Sequence, residues 1–342
     1  MAQKWIEKCE FVNYGKVGTV TLSDLSNINL IIGENGTGKT FLLKALYSAI
    51  RTLEENMRGD ATRSVNDLLI EKLRWTFQVE KPGDIVTKGT EGPAVFHMTV
   101  GGSKLGYQFG PECSKKLTIL DVPETSKEGN SVFIPAKEVL SLYSVILKSR
   151  EIDQVFGFDD TYYDLAKALR IAPSRGKNYS VFAKSRKMVE GIVGGKVDYD
   201  DSRTKWYYKQ GNQKYSIGAA SEGVKKIAIM DRLLANGYLD NHSTIFIDEV
   251  ESALHPDAIC AFLDVIDLIA HEMGIQVFIT SHSYFVIKKL YLIALKRKGS
   301  VKCISMSKDG LTSVSDLCEG MPKNSIIDAS IKLYEEEMDE VF

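Results

Sequence analysis

The sequence predicts an α/β protein built on a parallel sheet, and three adjoining stretches predict it. Ile28, Leu30, Ile31 and Ile32 form a short, nearly continuous apolar run, the pattern of a strand buried on both faces of a parallel sheet. Gly33 to Thr40 then read Gly-Glu-Asn-Gly-Thr-Gly-Lys-Thr, a complete G-x-x-x-x-G-K-[ST] phosphate loop. Beyond the loop, Leu42, Leu46, Ala49 and Ile50 recur at i, i+4, i+7 and i+8, which is one apolar stripe on a helix. The chemistry of such a loop needs a strand to deliver it and a helix N-terminus to receive phosphates. Both are present.

Within the loop, the glycines Gly36 and Gly38 let backbone N–H groups turn inward on a phosphate with no side chain in the way. Lys39 is then placed to reach the β/γ-phosphates and the Thr40 hydroxyl to reach magnesium. Asn35 and Phe41 complete the candidate nucleotide-binding set.

A second apolar strand comes far downstream. His242-Ser243-Thr244-Ile245-Phe246-Ile247-Asp248-Glu249 is a β-branched and aromatic run ending in two carboxylates, as expected of a buried strand whose tip points into a site. Asp248 suits the magnesium shell, and Glu249 suits orienting or deprotonating an attacking water. Taken alone, two acids at a strand end also fit a solvated turn. Ile259, Phe262, Leu263, Ile266 and Ile269 make a helical stripe behind Pro256, a residue suited to a first turn. Val277, Phe278, Ile279 and Thr280 then lead into Ser281-His282-Ser283. Strand, helix, strand in this order predicts parallel pairing through a right-handed crossover. That arrangement puts His282 beside Asp248 at the carboxyl edge of the sheet, where an imidazole can contact a γ-phosphate; the plainer reading is a polar histidine in a surface turn.

Between these halves, Gly218-Ala219-Ala220-Ser221-Glu222-Gly223-Val224-Lys225-Lys226 precedes a helix carrying Ile227, Met230, Leu233 and Leu234. Ser221 and Gly223 ahead of a helix make a second anion-binding N-terminus in the same chain. One nucleotide needs only one such cradle.

These motifs together resemble those of ABC-type ATPases in the wide sense, which include SMC-like repair proteins and the overcoming-lysogenization-defect (OLD) family. The resemblance implies a P-loop NTPase fold, ABC/SMC-head-like, binding ATP and Mg2+. It makes Ser221 and Gly223 signature positions that touch the γ-phosphate held by the opposite subunit. A head-to-tail homodimer with two ATP molecules between phosphate loop and signature follows from it. Glu222 and Val224 replace the first glycine and the glutamine of the transporter signature Leu-Ser-Gly-Gly-Gln. Asp248-Glu249-Val250-Glu251-Ser252-Ala253-Leu254-His255-Pro256 is similar to the Asp-Glu-Pro-Glu-x-x-Leu-His-Pro form of OLD-like ATPases, where transporters carry an aspartate at the His255 position. His255 either contacts the facing subunit or forms the polar start of the helix at Pro256. Glu251 is given no catalytic role. The family also implies a glutamine linking nucleotide to a flanking subdomain, and Gln78, Gln108 and Gln154 all lie in the permissible interval.

Composition sets the bounds. The chain has 342 residues, 44% hydrophobic and 26% charged, with a formal net charge of -2, ample for a folded core and without a global pull toward nucleic acid or anionic membrane. Five cysteines, at 9, 113, 260, 303 and 318, form no C-x-x-C pair, so neither zinc nor a disulfide framework is expected and reduced thiols in a cytoplasmic core are. No apolar segment approaches signal-peptide or membrane-spanning length, so direct membrane insertion is not expected.

Three regions are predicted along the chain: 1–122, an N-terminal ATPase lobe with the phosphate loop and an antiparallel β-subdomain; 123–205, a mainly helical insertion; and 206–342, a C-terminal lobe with signature, Asp-Glu strand and switch histidine. Leu73–Val79, Val95–Val100 and Leu105–Phe109 alternate like half-buried strands. Phe11 and Tyr14 are candidates to stack on adenine or to fill the core. Val139, Leu140, Leu142, Tyr143 and Ile146, then Tyr162, Leu165, Ala166 and Leu169, give the insertion its helical pattern. The stretches 196–199, 206–208 and 214–217 read as a hairpin. Arg170, Arg175, Lys177, Lys184, Arg186 and Lys187 span a segment without acids, a candidate patch for nucleic-acid phosphates or a solvated helix face. The acidic stretch Tyr334 to Glu340 is a helix end able to face solvent or a basic partner.

The expected function is a cytoplasmic ATPase that dimerises around ATP and serves as switch or motor for a separately encoded effector. About 60 residues follow His282, without the acidic cluster of a Toprim nuclease, so a stand-alone OLD-like member of a bacterial anti-phage or toxin-regulating complex is the leading context. The alternatives are an SMC-like DNA-repair or DNA-clamping head, an ABC transporter nucleotide-binding subunit, and a slowly hydrolysing ATP-dependent scaffold.

Overall fold

A computed structural model describes residues 6–58, 63–173, 180–200 and 202–341. Its centre is the six-stranded sheet that the two separated apolar runs build together. β1 (Ile6–Tyr14) and β2 (Gly18–Leu22) form a hairpin ahead of β3 (Ile28–Gly33), which is buried along its whole length. The phosphate loop leads directly into α1 (Lys39–Glu55), and α2 (Val65–Phe77) follows. Next come β4 (Ala94–Val100), β5 (Ser103–Phe109), β6 (Thr118–Asp121) and β7 (Val132–Ile134). Three helices, α3 (Tyr143–Glu151), α4 (Asp160–Arg170) and α5 (Ser180–Val193), precede a small sheet of β8 (Lys196–Asp200), β9 (Lys205–Gln210) and β10 (Gln213–Ser216). The expected hairpin is therefore a three-stranded antiparallel meander, and it runs across position 205.

The remaining elements return to the centre: α6 (Glu222–Ala235), β11 (Thr244–Ile247), α7 (Pro256–Glu272), β12 (Gln276–Ser281), α8 (Tyr284–Arg297), β13 (Lys302–Met306), β14 (Thr312–Asp316) and α9 (Ser325–Val341). In the central sheet the order is β14-β13-β3-β12-β11-β7, parallel throughout except for the antiparallel edge strand β14. A separate antiparallel sheet runs β2-β1-β4-β5-β6. Register aligns the strand ends: Ile32 lies beside Ser281, Gly33 beside Met306, and Ile247 beside both Ile279 and Ile134. One sheet edge thus collects the phosphate loop, Asp248 and His282.

Successive residues of a strand point to opposite faces, and the two apolar cores divide accordingly. Ile28, Leu30, Ile32, Ile245, Ile247, Val277 and Ile279 face the core shared with α4, α6, α7 and α8. Ile31, Phe133, Phe246 and Phe278 face the core shared with α1 and the antiparallel sheet. On that second face Phe246 lies near-parallel to Phe278, with ring centroids 5.3 Å apart, and packs edge-on against Tyr47 of α1.

One expected strand is a helix. Leu73, Trp75, Phe77 and Val79 alternate, but the buried positions of α2 are Leu68, Leu69, Lys72, Leu73 and Thr76, which is helical spacing. Ser64 caps the helix by accepting from the Asp67 N–H at 3.1 Å, and Gln78 ends it in the left-handed region with φ 52. Trp75 falls off that buried face and is half-buried, its ring covered by the Arg150 guanidinium at 3.3 Å from the centroid.

Buried and half-buried charges dock the helical insertion onto α1 and α2. Lys44 pairs with Asp159 at 2.6 Å, Lys72 with Asp164 at 3.2 Å, and the Tyr47 hydroxyl donates to Asp164 at 3.0 Å. Burial pushes the Asp164 carboxyl up, but Lys72, Arg51 and Lys167 outweigh it and hold the group well below the usual carboxylate range. Charges at this depth persist only when paired and hydrogen-bonded.

Candidate active site

The phosphate loop is shaped by glycines with no alternative. At Gly33 (φ 153) a Cβ would sit 2.2 Å from the Met306 carbonyl of the neighbouring strand, and at Gly38 (φ 97) it would sit 2.8 Å from the Lys16 carbonyl. The N–H groups of Lys39, Thr40 and Phe41 precede the first intrahelical bond of α1, from the Leu42 N–H to the Gly38 carbonyl at 2.8 Å, so all three remain free of the helix ladder. Asn35 is exposed at the loop tip. The Phe41 side chain is half-buried, with its ring against Gly15 and 4.4 Å from Phe77 by centroids; what Phe41 offers a ligand is its backbone N–H.

Lys39 is buried and its ammonium donates to the carbonyls of Gly33 at 2.7 Å and Glu34 at 2.8 Å. Burial holds its pKa below the ordinary lysine value, an effect that the carboxylates of Glu249, Asp248 and Glu251 partly offset. Those three acids are its electrostatic surroundings, although they lie more than 200 positions away in sequence. The Thr40 hydroxyl donates to Asp248 at 2.9 and 3.0 Å to its two oxygens. This is the contact that joins the two separated motifs.

Asp248 is fixed from several sides. Its N–H donates to the Ile134 carbonyl at 2.9 Å, and its Oδ1 accepts from the Thr280 hydroxyl at 2.7 Å. The same Thr280 oxygen accepts from the Glu249 N–H at 2.8 Å. Glu249 sits at φ 44, in the left-handed region where a non-glycine residue is uncommon. Lys226, buried on α6, donates to the Glu249 carbonyl at 2.5 Å and to the Asp248 carbonyl at 3.2 Å. Burial lowers its pKa to about 8, against the charges of Glu251, Asp248 and Glu249.

His282 is exposed just past β12, its N–H donating to Glu251 at 2.8 Å and its Nδ1 3.4 Å from the same oxygen. Glu251 thus ties the turn after β11 to the end of β12. Ser221 caps α6, accepting from the Val224 N–H at 3.4 Å, and is exposed. Gly223 is buried, and a Cβ there would meet the Ala253 carbonyl at 2.7 Å. His255 caps α7 by accepting from the Asp257 N–H at 3.3 Å, the polar helix start that was one of its two readings.

Several candidates take other places. Phe11 and Tyr14 are wholly buried among Phe96, Tyr107 and Phe109, so both fill the core and neither can stack on adenine. Gln108 is a ladder residue opposite Val95 and Thr118. Gln154 sits past α3, and Gln78 ends α2 with its side-chain oxygen placed to accept from the Gly157 and Asp159 N–H groups. Arg186 is neutralised by Asp231 at 2.9 Å, which takes it out of the basic run, and Arg175 and Lys177 lie outside the described residues.

The oxygen-only pair Thr40 and Asp248 suits Mg2+, which is usually held by one or two protein groups plus substrate phosphates. Among the described residues no group of three or more His, Cys, Asp or Glu side chains could hold a metal ion by itself.

Thr280 and Lys226 were not read from sequence as site residues. Their signals were a hydroxyl inside a doubly buried strand, which must find a partner, and a lysine on the same stripe as Met230, Leu233 and Leu234 of α6.

Residues 28–288 match the family described as "AAA domain, putative AbiEii toxin, Type IV TA system". The chain belongs to this AAA domain family. No curated protein matches it. The AAA domain chain is similar to a crystal structure of the Smc head bound to the C-winged helix domain of ScpA, with TM-score 0.54 and 12% identity over 91% of this chain and 97% of that one. It is also similar to the Smc head domain with an extended coiled coil bound to the C-terminal domain of ScpA derived from Pyrococcus furiosus (0.49, 12%, 98% and 99%). A further similar structure is that of the recombination mediator protein RecF-ATP in the RecFOR pathway (0.46, 14%, 92% and 98%). The family match and the fold of the first of these make the AAA domain an ABC-type, SMC-like P-loop ATPase fold. No helix among the described residues is long and apolar enough to cross a membrane.

Proposed function

We propose that this chain binds and hydrolyses ATP with Mg2+, closes as a homodimer around two nucleotides, and acts as a switch for a separately encoded effector. The observation that carries the reading is the Thr40–Asp248 hydrogen bond, because it brings the hydroxyl of the phosphate loop and a strand-end carboxylate to one point at the same sheet edge. Thr40 and Asp248 would hold the metal, which when bound would neutralise phosphate charge. Lys39 exchanges its two carbonyl acceptors for the β/γ-phosphates. Glu249 orients or deprotonates the attacking water, and His282, steadied by Glu251, contacts the γ-phosphate. Phosphoryl transfer of this kind is mostly positioning and charge compensation.

Ser221 is exposed at the N-terminal end of α6, which supports its use by the nucleotide of a second copy, while Gly223 packs against Ala253 and Leu254 and sets how that helix end sits. Binding energy gained there favours the closed dimer, and loss of the γ-phosphate removes it. A separate effector in a defence or toxin-regulating complex, and an OLD-like subtype within it, are read from the family's description and the His255 form of the motif. The DNA-clamping alternative loses support from the Arg186–Asp231 pair.

The test is Glu249→Gln with saturating ATP. The expected outcome is loss of turnover with a dimer trapped in light scattering, while Lys39→Ala binds no nucleotide. A Glu249→Gln protein that stays monomeric under those conditions rules out the sandwich mechanism.

A further inference from the structure

Two observations concern the grip of α6 on the turn that follows β11. At the back, Gly223 comes so close to this turn that even a methyl group would press on the Ala253 carbonyl and on Leu254. At the front, the Lys226 ammonium donates to the carbonyls of Asp248 and Glu249. The gripped turn holds two non-glycine residues in the left-handed region, Glu249 at φ 44 and Ala253 at φ 62. Such conformations cost about 1–3 kcal/mol each and persist only where surrounding structure over-determines them. On the peptide between Glu249 and its neighbours, the determining bonds come from Thr280 on the N–H side and Lys226 on the carbonyl side.

We propose that Lys226 is a positioning residue that couples the N-terminus of α6 to the aim of Glu249 in the same subunit. The proposal rests on the reading that Glu249 handles the attacking water. Lys226 is one turn beyond Ser221 and Glu222, which are exposed at the helix end. Whatever a second copy's nucleotide does to that end is therefore passed through a buried ammonium to the backbone that carries Glu249. Packed elements move as units and do not deform continuously, so a shift of the first turn of α6 shifts both carbonyls it holds. Engagement of the signature on one nucleotide thereby sets the carboxylate that acts on the other. Lys226 cannot serve as a phosphate ligand while it does this, because its head is buried and turned to backbone carbonyls.

The experiment measures ATP turnover and, separately, affinity for a fluorescent ATP analogue in Lys226→Met, Lys226→Gln and Lys226→Arg, with melting temperature as the check on folding. Lys226→Met keeps the buried stem and removes the donors. Its kcat is expected to fall roughly ten- to a hundredfold, the scale of a misplaced reacting group, with nucleotide affinity within about threefold of wild type. Lys226→Gln keeps two N–H donors on a shorter, uncharged head and is expected to fall between, and Lys226→Arg to recover part of the loss. Wild-type kcat in Lys226→Gln, or a loss confined to affinity, overturns the proposal, even if Lys226→Met does not fold. Glu249→Gln runs in the same assay. If it turns over at the wild-type rate, the role of Glu249 fails; if it is inactive while Lys226→Gln runs at full speed, only the coupling fails.

Discussion

Thr280→Val tests whether the hydroxyl under the carboxylates holds the site together. Valine has the shape of threonine, so what is lost is two hydrogen bonds: the one donated to Asp248 Oδ1 at 2.7 Å and the one accepted from the Glu249 N–H at 2.8 Å. Thr280 is completely buried, so water cannot replace the hydroxyl. An orphaned buried N–H costs about 1–3 kcal/mol and a lost bond to a charged group about 1.5–3. Asp248 keeps Thr40, which favours the lower half of that range, about 3 kcal/mol in all. For 342 residues the unfolding entropy is about 0.7 kcal/mol/K, so the melting temperature should drop by about 4 °C. Thr280→Ser keeps both bonds and gives up one buried methyl, about 1 kcal/mol or 1–2 °C. Scanning calorimetry and a steady-state ATPase assay on the three proteins should rank wild type above Ser and Ser above Val in both quantities. A Val variant equal to or better than Ser in either one refutes the hydrogen-bond argument.

Gly223→Val forces a branched side chain onto the Ala253 carbonyl and Leu254, where a Cβ alone would already be at 2.7 and 2.9 Å. It should lower stability by about 1–3 kcal/mol and abolish turnover; a variant with unchanged melting temperature by fluorimetry contradicts the close approach. His271 pairs with Asp267 at 2.9 Å in the last turn of α7, and this hydrogen bond raises its pKa above the ordinary 6.5. A raised folded-state value gives stability that is complete below the unfolded pKa and vanishes as pH climbs through the folded one. His271→Gln should therefore melt lower than wild type at pH 5.5, by about 1 kcal/mol for this half-buried pair, and match it at pH 8.5. Equal melting at pH 5.5 removes the pair from the account.

Strand β3, its loop and α1 were legible because each is contiguous: a doubly buried strand has no alternation to misread, and the loop's glycines and lysine are adjacent in sequence. β11 and β12 were legible for the same reason. α2 was misread because Leu73, Trp75, Phe77 and Val79 satisfy a period of two by accident. The stronger signals were the Ser64–Asp67 cap and a Trp75 whose ring is covered by a distant arginine, and the second of these is visible only in three dimensions. β7 escaped notice as a three-residue strand, too short for periodicity to speak, and β13 (Lys-Cys-Ile-Ser-Met) because Lys302 and Ser305 interrupt its apolar run. The pairing of Lys226 with two backbone carbonyls left no sequence trace beyond a lysine on an apolar stripe. Side chains that bind backbone are the hardest to foresee, since any carbonyl can be the acceptor.

The charges around the loop determine what the nucleotide must bring with it. Asp248, Glu249 and Glu251 are the acids that act on both Lys39 and Lys226, three negative charges against two positive ones, and Lys226 is occupied with backbone. A triphosphate therefore meets a site that is net negative before it arrives. One unit charge at 4 Å and an effective dielectric of about 20 is worth about 4 kcal/mol, which corresponds to roughly a thousandfold, so nucleotide affinity should drop by between about tenfold, where solvent screens the site, and that limit when EDTA replaces Mg2+. Removing one of the negative charges should reverse the order: Asp248→Asn is expected to bind the analogue more tightly than wild type in EDTA and to gain little from added Mg2+. Fluorescence titration reads both without any turnover. Wild-type affinity that is the same in EDTA and in Mg2+ would mean that the three carboxylates do not face the phosphates, and Asp248 would then have no claim on the metal.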